Sequence, residues 1–186
     1  MTDQEIIQNI AKPEMNQQVF KIILEKYQRK IYWHIRKMVI DHDDADDITQ
    51  DTFIKVWTNL SSYRAESQLY TWIYRIATNE CLNFLAKKKK NFASDITEWN
   101  DLLPSHENSP LVDGDAIQIK LQKALLTLPD KQRLVFNMKY FDELQYNQIS
   151  EITGTSEGAL KASYHIAVKK IEDFLNKDYS QLDTKK

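Results

Sequence analysis

The chain has 186 residues, with only three glycines, four prolines and a formal net charge of −2. A single cysteine, Cys81, excludes an internal disulfide and a cysteine-based metal cluster, and it suits a reducing cytosol. No apolar run approaches the roughly 20 residues of a membrane span, and the N-terminal MTDQEIIQNI lacks the pattern of a signal peptide. We therefore expect a soluble, intracellular, all-helical protein.

The charge is distributed unevenly along the chain. Residues 1–90 carry 14 Lys and Arg against 12 Asp and Glu, whereas residues 91–115 carry six acidic residues and no basic one. The same segment holds two of the four prolines and shows no sustained helical period. The sequence thus predicts helical domains over 10–90 and 118–178, joined by an acidic linker over 91–117. The linker is either a solubilising spacer or an occupant of a partner's basic, nucleic-acid-binding channel.

Three amphipathic helices are predicted in the first domain, each with apolar residues at 3.6-residue spacing. The apolar face of the first comprises Val19, Phe20, Ile23, Leu24, Tyr27, Ile31, Ile35 and Met38. That of the second comprises Ala45, Ile48, Thr52, Phe53, Val56, Trp57 and Leu60. That of the third comprises Leu69, Trp72, Ile73, Ile76, Ala77, Cys81, Phe84 and Leu85, and Ser67 is predicted to cap this helix.

The second helix begins among aspartates at positions 43, 44, 46 and 47. Acidic residues are favoured there by the helix dipole, which is a sufficient structural explanation. The face opposite the buried one, however, carries Asp47, Gln50, Asp51 and Ile54. An exposed isoleucine among polar and acidic groups favours a docking surface for a basic partner. A two-metal catalytic site is the alternative, but consecutive helical aspartates point in different directions, and no second acidic motif follows.

The third helix carries a polar and basic stripe beside its apolar face. Its members follow one another at intervals of four residues, namely Arg75, Asn79, Asn83 and Lys87, and the helix ends in lysines at 87–90. Amides flanked by cationic groups suit base edges and phosphates. Three nearby tyrosines are candidates for stacking on unpaired bases: Tyr63, Tyr70 and Tyr74. The alternative is half-buried tyrosines and a lysine-rich helix end that suits the dipole.

The stretch from Tyr146 to Leu175 predicts a helix-turn-helix. Gly154 is expected to end the first helix in the left-handed conformation, and Ser156 to cap the second. The second helix has an apolar face made by Leu160, Tyr164, Ala167, Ile171 and Phe174 or Leu175. A different stripe carries Lys161, His165 and Lys169, next to Ala162. This small, basic face favours insertion into the DNA major groove, and an ordinary helical hairpin is the alternative.

In order and spacing, three segments resemble the two-domain extracytoplasmic-function sigma factors of bacteria. They are DADDITQDTFIKVW, SSYRAESQLYTWIYRIATN and LTLPDKQRLVFNMKYFDELQYNQISEITGTSEGALK. The resemblance covers about residues 15–90 and 118–175. It implies that the first domain docks on core RNA polymerase and reads the −10 promoter element, and that the second reads the −35 element. The acidic linker replaces the middle domain of longer sigma factors, and the resemblance implies that it threads the RNA-exit path.

The resemblance assigns residues to three surfaces. Polymerase docking is assigned to Asp47, Gln50, Asp51 and Ile54. The −10 surface, with a pocket for a flipped base, is assigned to Tyr63, Arg64, Ser67, Tyr70, Tyr74, Arg75, Asn79, Asn83, Lys87 and Lys88. The −35 surface is assigned to Ser156, Glu157, Lys161, Ala162, His165 and Lys169. Many relatives carry arginines along the recognition helix where this chain has Ala162, Ser163, Ile166 and Val168, so the bases that are read do not carry over.

The expected function is that of a cytoplasmic transcription initiation factor without catalytic chemistry, cofactor or bound metal. Its expected partners are core RNA polymerase, duplex −35 DNA and single-stranded −10 DNA, with an anti-sigma factor as a further candidate. The alternative is a helix-turn-helix regulator that acts without polymerase. Such a regulator usually binds a palindrome as a dimer, and no dimer seam is found outside the predicted domain cores.

Overall fold

All regular structure is helical in the parts of the chain that this computed structural model describes, which are residues 2–10, 16–39, 41–91 and 113–183. The helices are α1 (Asp3–Ile10), α2 (Asn16–Val39), α3 (His42–Asn59), α4 (Leu69–Asn91), α5 (Asp113–Leu126), α6 (Asp130–Tyr140), α7 (Tyr146–Thr153) and α8 (Glu157–Asp183). A 3₁₀ turn, Leu60–Ser62, follows α3. The predicted all-α class is confirmed. None of these helices is long and apolar enough to span a membrane.

Helices α1 to α4 form the first bundle, in which α2 packs against the other three. The predicted apolar faces of α2, α3 and α4 line its core. Trp57 is the exception, because 43% of it is exposed. It lies at the flank of the buried stripe of α3, where its ring meets Phe20 edge-on at 5.1 Å between centroids. Its predicted place in the core was therefore wrong.

Helix α1 extends the first bundle beyond the boundary predicted at residue 10. Ile6 and Ile10 lie one turn apart and are both buried in the core shared with α2. The Asp3 carboxylate accepts a hydrogen bond from Tyr27 and pairs with Lys26, both at 2.7 Å. The i, i+4 isoleucines were visible in the sequence, but a helix of eight residues has too little periodicity to predict by itself.

Helices α5 to α8 form the second bundle, and α7 and α8 are the predicted helix-turn-helix. Gly154 has φ of +68° and donates its N–H to the Ser150 carbonyl, which ends α7 as expected. Ser156 caps α8, since its hydroxyl oxygen accepts from the Ala159 N–H at 3.4 Å. Helix α4 runs to Asn91 and α5 begins at Asp113, so both helices enter the predicted linker range. Residues 92–112 lie outside the described residues.

The substitution Gly154→Ala is expected to lower the free energy of unfolding by about 1 kcal/mol, because a left-handed φ strains a residue that has a Cβ. No atom lies within 4 Å of the added Cβ, so backbone strain is the whole effect. Gly158 on α8 is equally open and has no positive φ, which makes it the matched control. Gly158→Ala should raise stability, by up to about 1 kcal/mol. Denaturant unfolding measures both, and equal changes would contradict this account.

The two bundles pack against each other through α2 with α6 and α4 with α7. Their buried residues belong to one hydrophobic cluster, in which Leu134, Met138 and Ile149 of the second bundle join the core of the first. Asn137 is fully buried at this contact and donates its amide to the Lys37 carbonyl at 3.2 Å. We refer to this contact between the bundles as the seam.

Candidate docking and nucleic-acid interfaces

The acidic start of α3 divides into paired and unpaired aspartates. Asp41 caps the helix by accepting the Asp44 N–H, and this hydrogen bond lowers the pKa of Asp41. The Asp44 carboxylate binds Lys88 of α4 at 2.7 Å, and Asp46 lies 3.6 Å from His42. These three acids thus have structural partners. Within the described residues, no three His, Cys, Asp or Glu side chains are placed to share a metal ion.

The four predicted docking residues lie together on the exposed face of α3. Asp47, Gln50 and Asp51 are exposed, and Ile54 is 59% exposed. Neither Asp47 nor Asp51 forms an ion pair with another described residue. An apolar side chain among unpaired carboxylates presents both the charge and the contact area that a basic protein surface needs. We call this set the docking face.

The polar stripe of α4 is exposed as predicted, although its Arg75 and the adjacent Lys88 already have partners within the fold. Asn79, Asn83 and Lys87 face solvent. Arg75 is exposed too, but its guanidinium donates to the Glu151 carbonyl of α7 at 2.6 and 3.2 Å. Lys88 is half-buried and holds Asp44. Lys88 therefore ties α4 to α3, a role that the lysine run did not indicate.

The loop before α4 is held in place by contacts of the Tyr63 side chain. The Tyr63 hydroxyl donates to the Ser67 carbonyl, and the Tyr63 ring packs on Trp72 at 5.0 Å. Helix α4 starts at Leu69, where the Gln68 carbonyl accepts the Trp72 N–H. The predicted cap at Ser67 is thus one residue too early. Ala65 has φ of +56°, which is uncommon for a residue other than glycine.

A cleft of about 590 Å³ opens beside this loop, between the two bundles. The first bundle contributes Ile7, Ala65, Glu66, Ser67, Gln68 and Thr71, and the second contributes Gln145, Asn147, Gln148 and Glu151. The Thr71 hydroxyl is buried there without a hydrogen-bond partner. Sequence reasoning placed a pocket at the loop, but it did not find Thr71 or the wall from the second bundle. Asn79 and Asn83 are not among the lining residues.

The three tyrosines have different environments. Tyr74 is only 3% exposed and packs between Tyr70, at 4.3 Å, and His34, at 4.9 Å. Its predicted stacking on unpaired bases is wrong in this arrangement, because its ring is part of the core. Tyr63 and Tyr70 are half-buried. Burial raises the pKa of the Tyr70 hydroxyl to about 12, so it is a neutral donor at physiological pH.

On the second bundle, α8 presents the predicted recognition stripe to solvent. The side chains of Glu157, Lys161, Ala162, His165 and Lys169 are exposed, as is the capping Ser156. Lys161 lies over the Tyr146 ring of α7 at 5.6 Å and 3.7 Å from Glu157. Ile166 is also exposed. The face is thus small, basic and partly apolar, which suits a major groove lined with phosphates and thymine methyl groups.

Comparison with known proteins matches both bundles to one family. Residues 23–91 match the model for Sigma-70 region 2, and residues 118–171 match that for Sigma-70, region 4. The ECF RNA polymerase sigma factor SigW of Bacillus subtilis is 32% identical over 159 residues, which are 81% of this chain and 85% of SigW. The RNA polymerase sigma-H factor of Pseudomonas aeruginosa is 28% identical, over 93% of each chain.

Two solved structures have the same fold. CnrH, in complex with the cytosolic domain of CnrY, gives a TM-score of 0.68 at 19% identity and covers 95% of this chain and 98% of its own. The sigma factor RpoE of Bartonella quintana, in complex with the anti-sigma factor NepR, gives 0.66 at 22% identity. That match covers 84% of this chain and 96% of RpoE.

Proposed function

The chain belongs to the extracytoplasmic-function sigma factors of bacterial RNA polymerase, and on that premise we propose which of its residues do the work. As an alternative sigma factor it binds core RNA polymerase and directs initiation at promoter DNA. We assign polymerase docking and −10 recognition to the first bundle, −35 recognition to the second, and a tethering role to the acidic segment between them. We further infer that it acts in the cytoplasm and has no catalytic chemistry of its own.

The observation that supports this assignment is a pair of exposed faces of different chemistry on the two bundles. The docking face on α3 is acidic with one apolar residue, which suits a basic protein surface. The stripe on α8 is basic and small, which suits a DNA groove. A regulator that acts without polymerase needs the second face but has no use for the first. Since RpoE was solved with an anti-sigma factor, we include a protein of that kind among the proposed partners.

The −10 assignment joins the exposed amides of α4 to the loop beside the cleft. Asn79 and Asn83 are proposed to bind base edges, and Arg75 and Lys87 to bind the phosphate backbone. The pocket for a flipped base is proposed to be lined by Tyr63, Arg64, Ser67 and Tyr70. Flipping costs a few kcal/mol, which hydrogen bonds and stacking at the pocket offset.

Transcription by core polymerase and this chain over a randomised promoter library tests the proposal. We expect selected promoters to share two sequence elements, one near −35 and one near −10. A single enriched element, or transcription that does not depend on the added chain, would contradict the assignment.

Lys161→Ala is expected to weaken −35-dependent transcription by roughly tenfold, since one well-placed contact in the major groove contributes about 1–3 kcal/mol of discrimination. Lys170 on the same helix provides the matched control, because it faces away from the stripe and binds Gln132 at 3.0 Å. Lys170→Ala removes the same charge and should leave −35 dependence intact. If Lys161→Ala affects promoters with and without the −35 element equally, this side chain does not recognise the −35 element.

A further inference from the structure

Helix α2 is the most basic helix among the described residues. Between Asn16 and Val39 it carries six Lys and Arg residues and a single acidic residue, Glu25. Residues 1–90 as a whole carry 14 basic and 12 acidic residues, so the excess positive charge of the first bundle is concentrated on this helix. None of the three surfaces assigned above includes any of these cations. The positive charge of α2 therefore has no role in docking or in promoter recognition as described so far.

Five of the six cations lie on one side of α2, around Trp33. With 3.6 residues per turn, each of the five falls within about 60° of Trp33 around the helix axis, whereas the sixth, Lys21, lies about 120° away. The five cations are Lys26, Arg29, Lys30, Arg36 and Lys37. The first three are exposed and the last two are half-buried. We refer to Trp33 and these five cations as the α2 face.

Trp33 is exposed but held in position. The side chain is 49% exposed, although tryptophan is large and mostly apolar. Its ring meets the Tyr32 ring edge-on at 5.3 Å between centroids. Tyr32 is anchored in turn, because its hydroxyl lies 2.7 Å from His42 Nδ1 on α3. The indole is thus supported from one side by the fold, while about half of its surface is open to a ligand.

The cations beside Trp33 lack partners within the described fold. At either end of the α2 face, Lys26 and Lys37 each pair with one carboxylate from another segment of the chain, at 2.7 and 2.6 Å. Arg29 and Lys30 are exposed and form no ion pair with another described residue. The uncompensated positive charge therefore lies next to the exposed ring, where it is available to an anionic ligand.

An aromatic ring among unpaired cations matches the chemistry of a single-stranded nucleic acid. Phosphates attract cations whether the strand is paired or not, but an indole can stack only on a base that has left the duplex stack. Trp33 therefore favours a single strand over a duplex. From Lys26 to Lys37 the face extends for about 16 Å along the helix, at 1.5 Å per residue. This length accommodates a few nucleotides of an extended strand.

We propose that the α2 face binds single-stranded DNA of the open promoter without reading its sequence. Trp33 stacks on one base, and the neighbouring cations hold the phosphates. The inference rests on the proposed function, because promoter opening supplies the strand. Helix α2 packs against α4, so the face lies about one helix diameter, roughly 10 Å, from the helix assigned to the −10 element. A strand held at the −10 element thus has a second point of attachment nearby.

The affinity of the full-length chain for an oligothymidine tests the stacking contact. Trp33→Ala should weaken binding to the single strand roughly tenfold, because base stacking on an aromatic side chain contributes strongly to such complexes. Trp33→Phe keeps an aromatic ring and should retain most of the affinity. Binding to a duplex of the same length should be weaker and should not respond to Trp33→Ala. An equal loss on single strand and duplex would overturn the proposal, as would no loss on either.

The salt dependence of the same binding tests the cations. Arg29→Ala and Lys30→Ala should each reduce the slope of log affinity against log salt by about 0.7, the value for one phosphate contact on a single strand. Lys21→Ala is the matched control, since Lys21 is exposed on the same helix but outside the α2 face. This control should leave the slope unchanged. If all three substitutions lower the slope equally, the binding reflects overall charge and the proposal is wrong.

Tryptophan fluorescence locates the stacked base. Emission of the unmodified chain should be quenched by oligothymidine, and Trp33→Phe should remove that quenching. Quenching that persists in Trp33→Phe would place the base at another tryptophan and overturn the proposal. Circular dichroism and thermal unfolding of each variant confirm that it is folded, as the exposure of these side chains leads us to expect.

Experiments with the assembled holoenzyme separate this inference from the proposed function. Trp33→Ala should shorten the lifetime of open complexes several-fold at all promoters alike and leave base preference at the −10 element intact. Failure of the proposed function would appear differently, as transcription insensitive to the −10 sequence with the unmodified chain. If Trp33→Ala instead weakens the affinity for core polymerase and leaves oligothymidine binding unchanged, the α2 face is a protein interface and the proposal is wrong.

Discussion

The substitution Asp51→Lys is expected to weaken binding to core polymerase by about a hundredfold, because losing one partner of a charge pair that becomes buried at a protein interface costs about 2–5 kcal/mol. The carboxylate is exposed and forms no ion pair with another described residue, so nothing within the described fold depends on it. Its neighbours Asp47 and Ile54 share the same exposed face. The measurement is the equilibrium affinity of labelled protein for core enzyme, at several salt concentrations.

Asp43→Lys is the matched control for this prediction. Asp43 is exposed on the same helix but lies in its first turn and outside the docking face. The substitution makes the same charge change and should cost only the favourable interaction with the helix dipole, about 0.3–1 kcal/mol of stability. If both variants bind core enzyme equally, the effect is one of net charge, and the docking face is not where α3 meets polymerase.

The double substitution Asn79→Ala/Asn83→Ala is expected to remove base preference at one or two −10 positions and to reduce open-complex formation by one to two orders of magnitude, since each good base contact contributes about 1–3 kcal/mol. Both amides are exposed and lie one turn apart, so the loss should not affect the core. Footprinting of unpaired thymines in complexes of holoenzyme with a panel of −10 variants measures it.

The substitution Lys87→Ala is the control that distinguishes base recognition from electrostatic attraction to the DNA backbone. Lys87 is the next member of the same exposed stripe, and its loss should weaken all promoters alike while reducing the salt dependence by about one ion. If the amide variant behaves in the same way, lowering every promoter uniformly and keeping the original base preferences, then Asn79 and Asn83 do not read DNA.

The seam contains a carboxylate, Asp142, whose contribution to stability depends on pH. Asp142 is largely buried, which raises the pKa of a carboxyl, but hydrogen bonds and charges from His34 and Lys37 outweigh burial and lower the pKa of Asp142 below its ordinary value. A lowered pKa means that the ionised group stabilises the folded chain above the ordinary pKa, and that this contribution is lost only as the pH falls through the lowered value. The Asp142 carboxyl therefore stays ionised throughout the physiological pH range.

The sequence by itself determined the helices and their faces. Spacing at 3.6 residues predicted the buried positions of α2, α3, α4 and α8, because a helix exposes a residue or buries it according to its angle around the axis. Gly154 and Ser156 marked the turn, because conformational freedom and capping are local properties. The docking face and the α8 stripe followed from the same periodicity, and the order of motifs predicted the family that the comparisons confirm.

The tertiary structure alone decided how these faces are used. Trp57 was predicted to be buried and is partly exposed, whereas Tyr74 was predicted to stack on DNA bases and is buried. The burial of an aromatic ring depends on which helix packs against it, and helical periodicity does not identify that helix. Lys88 became a partner of Asp44, 44 residues away, although the lysine run resembled a uniform basic patch. The contact between the two bundles could not be predicted from the sequence for the same reason. His34 and Asp142 meet across a sequence separation of 108 residues, and such a contact is fixed by the packing of whole bundles rather than by any local pattern.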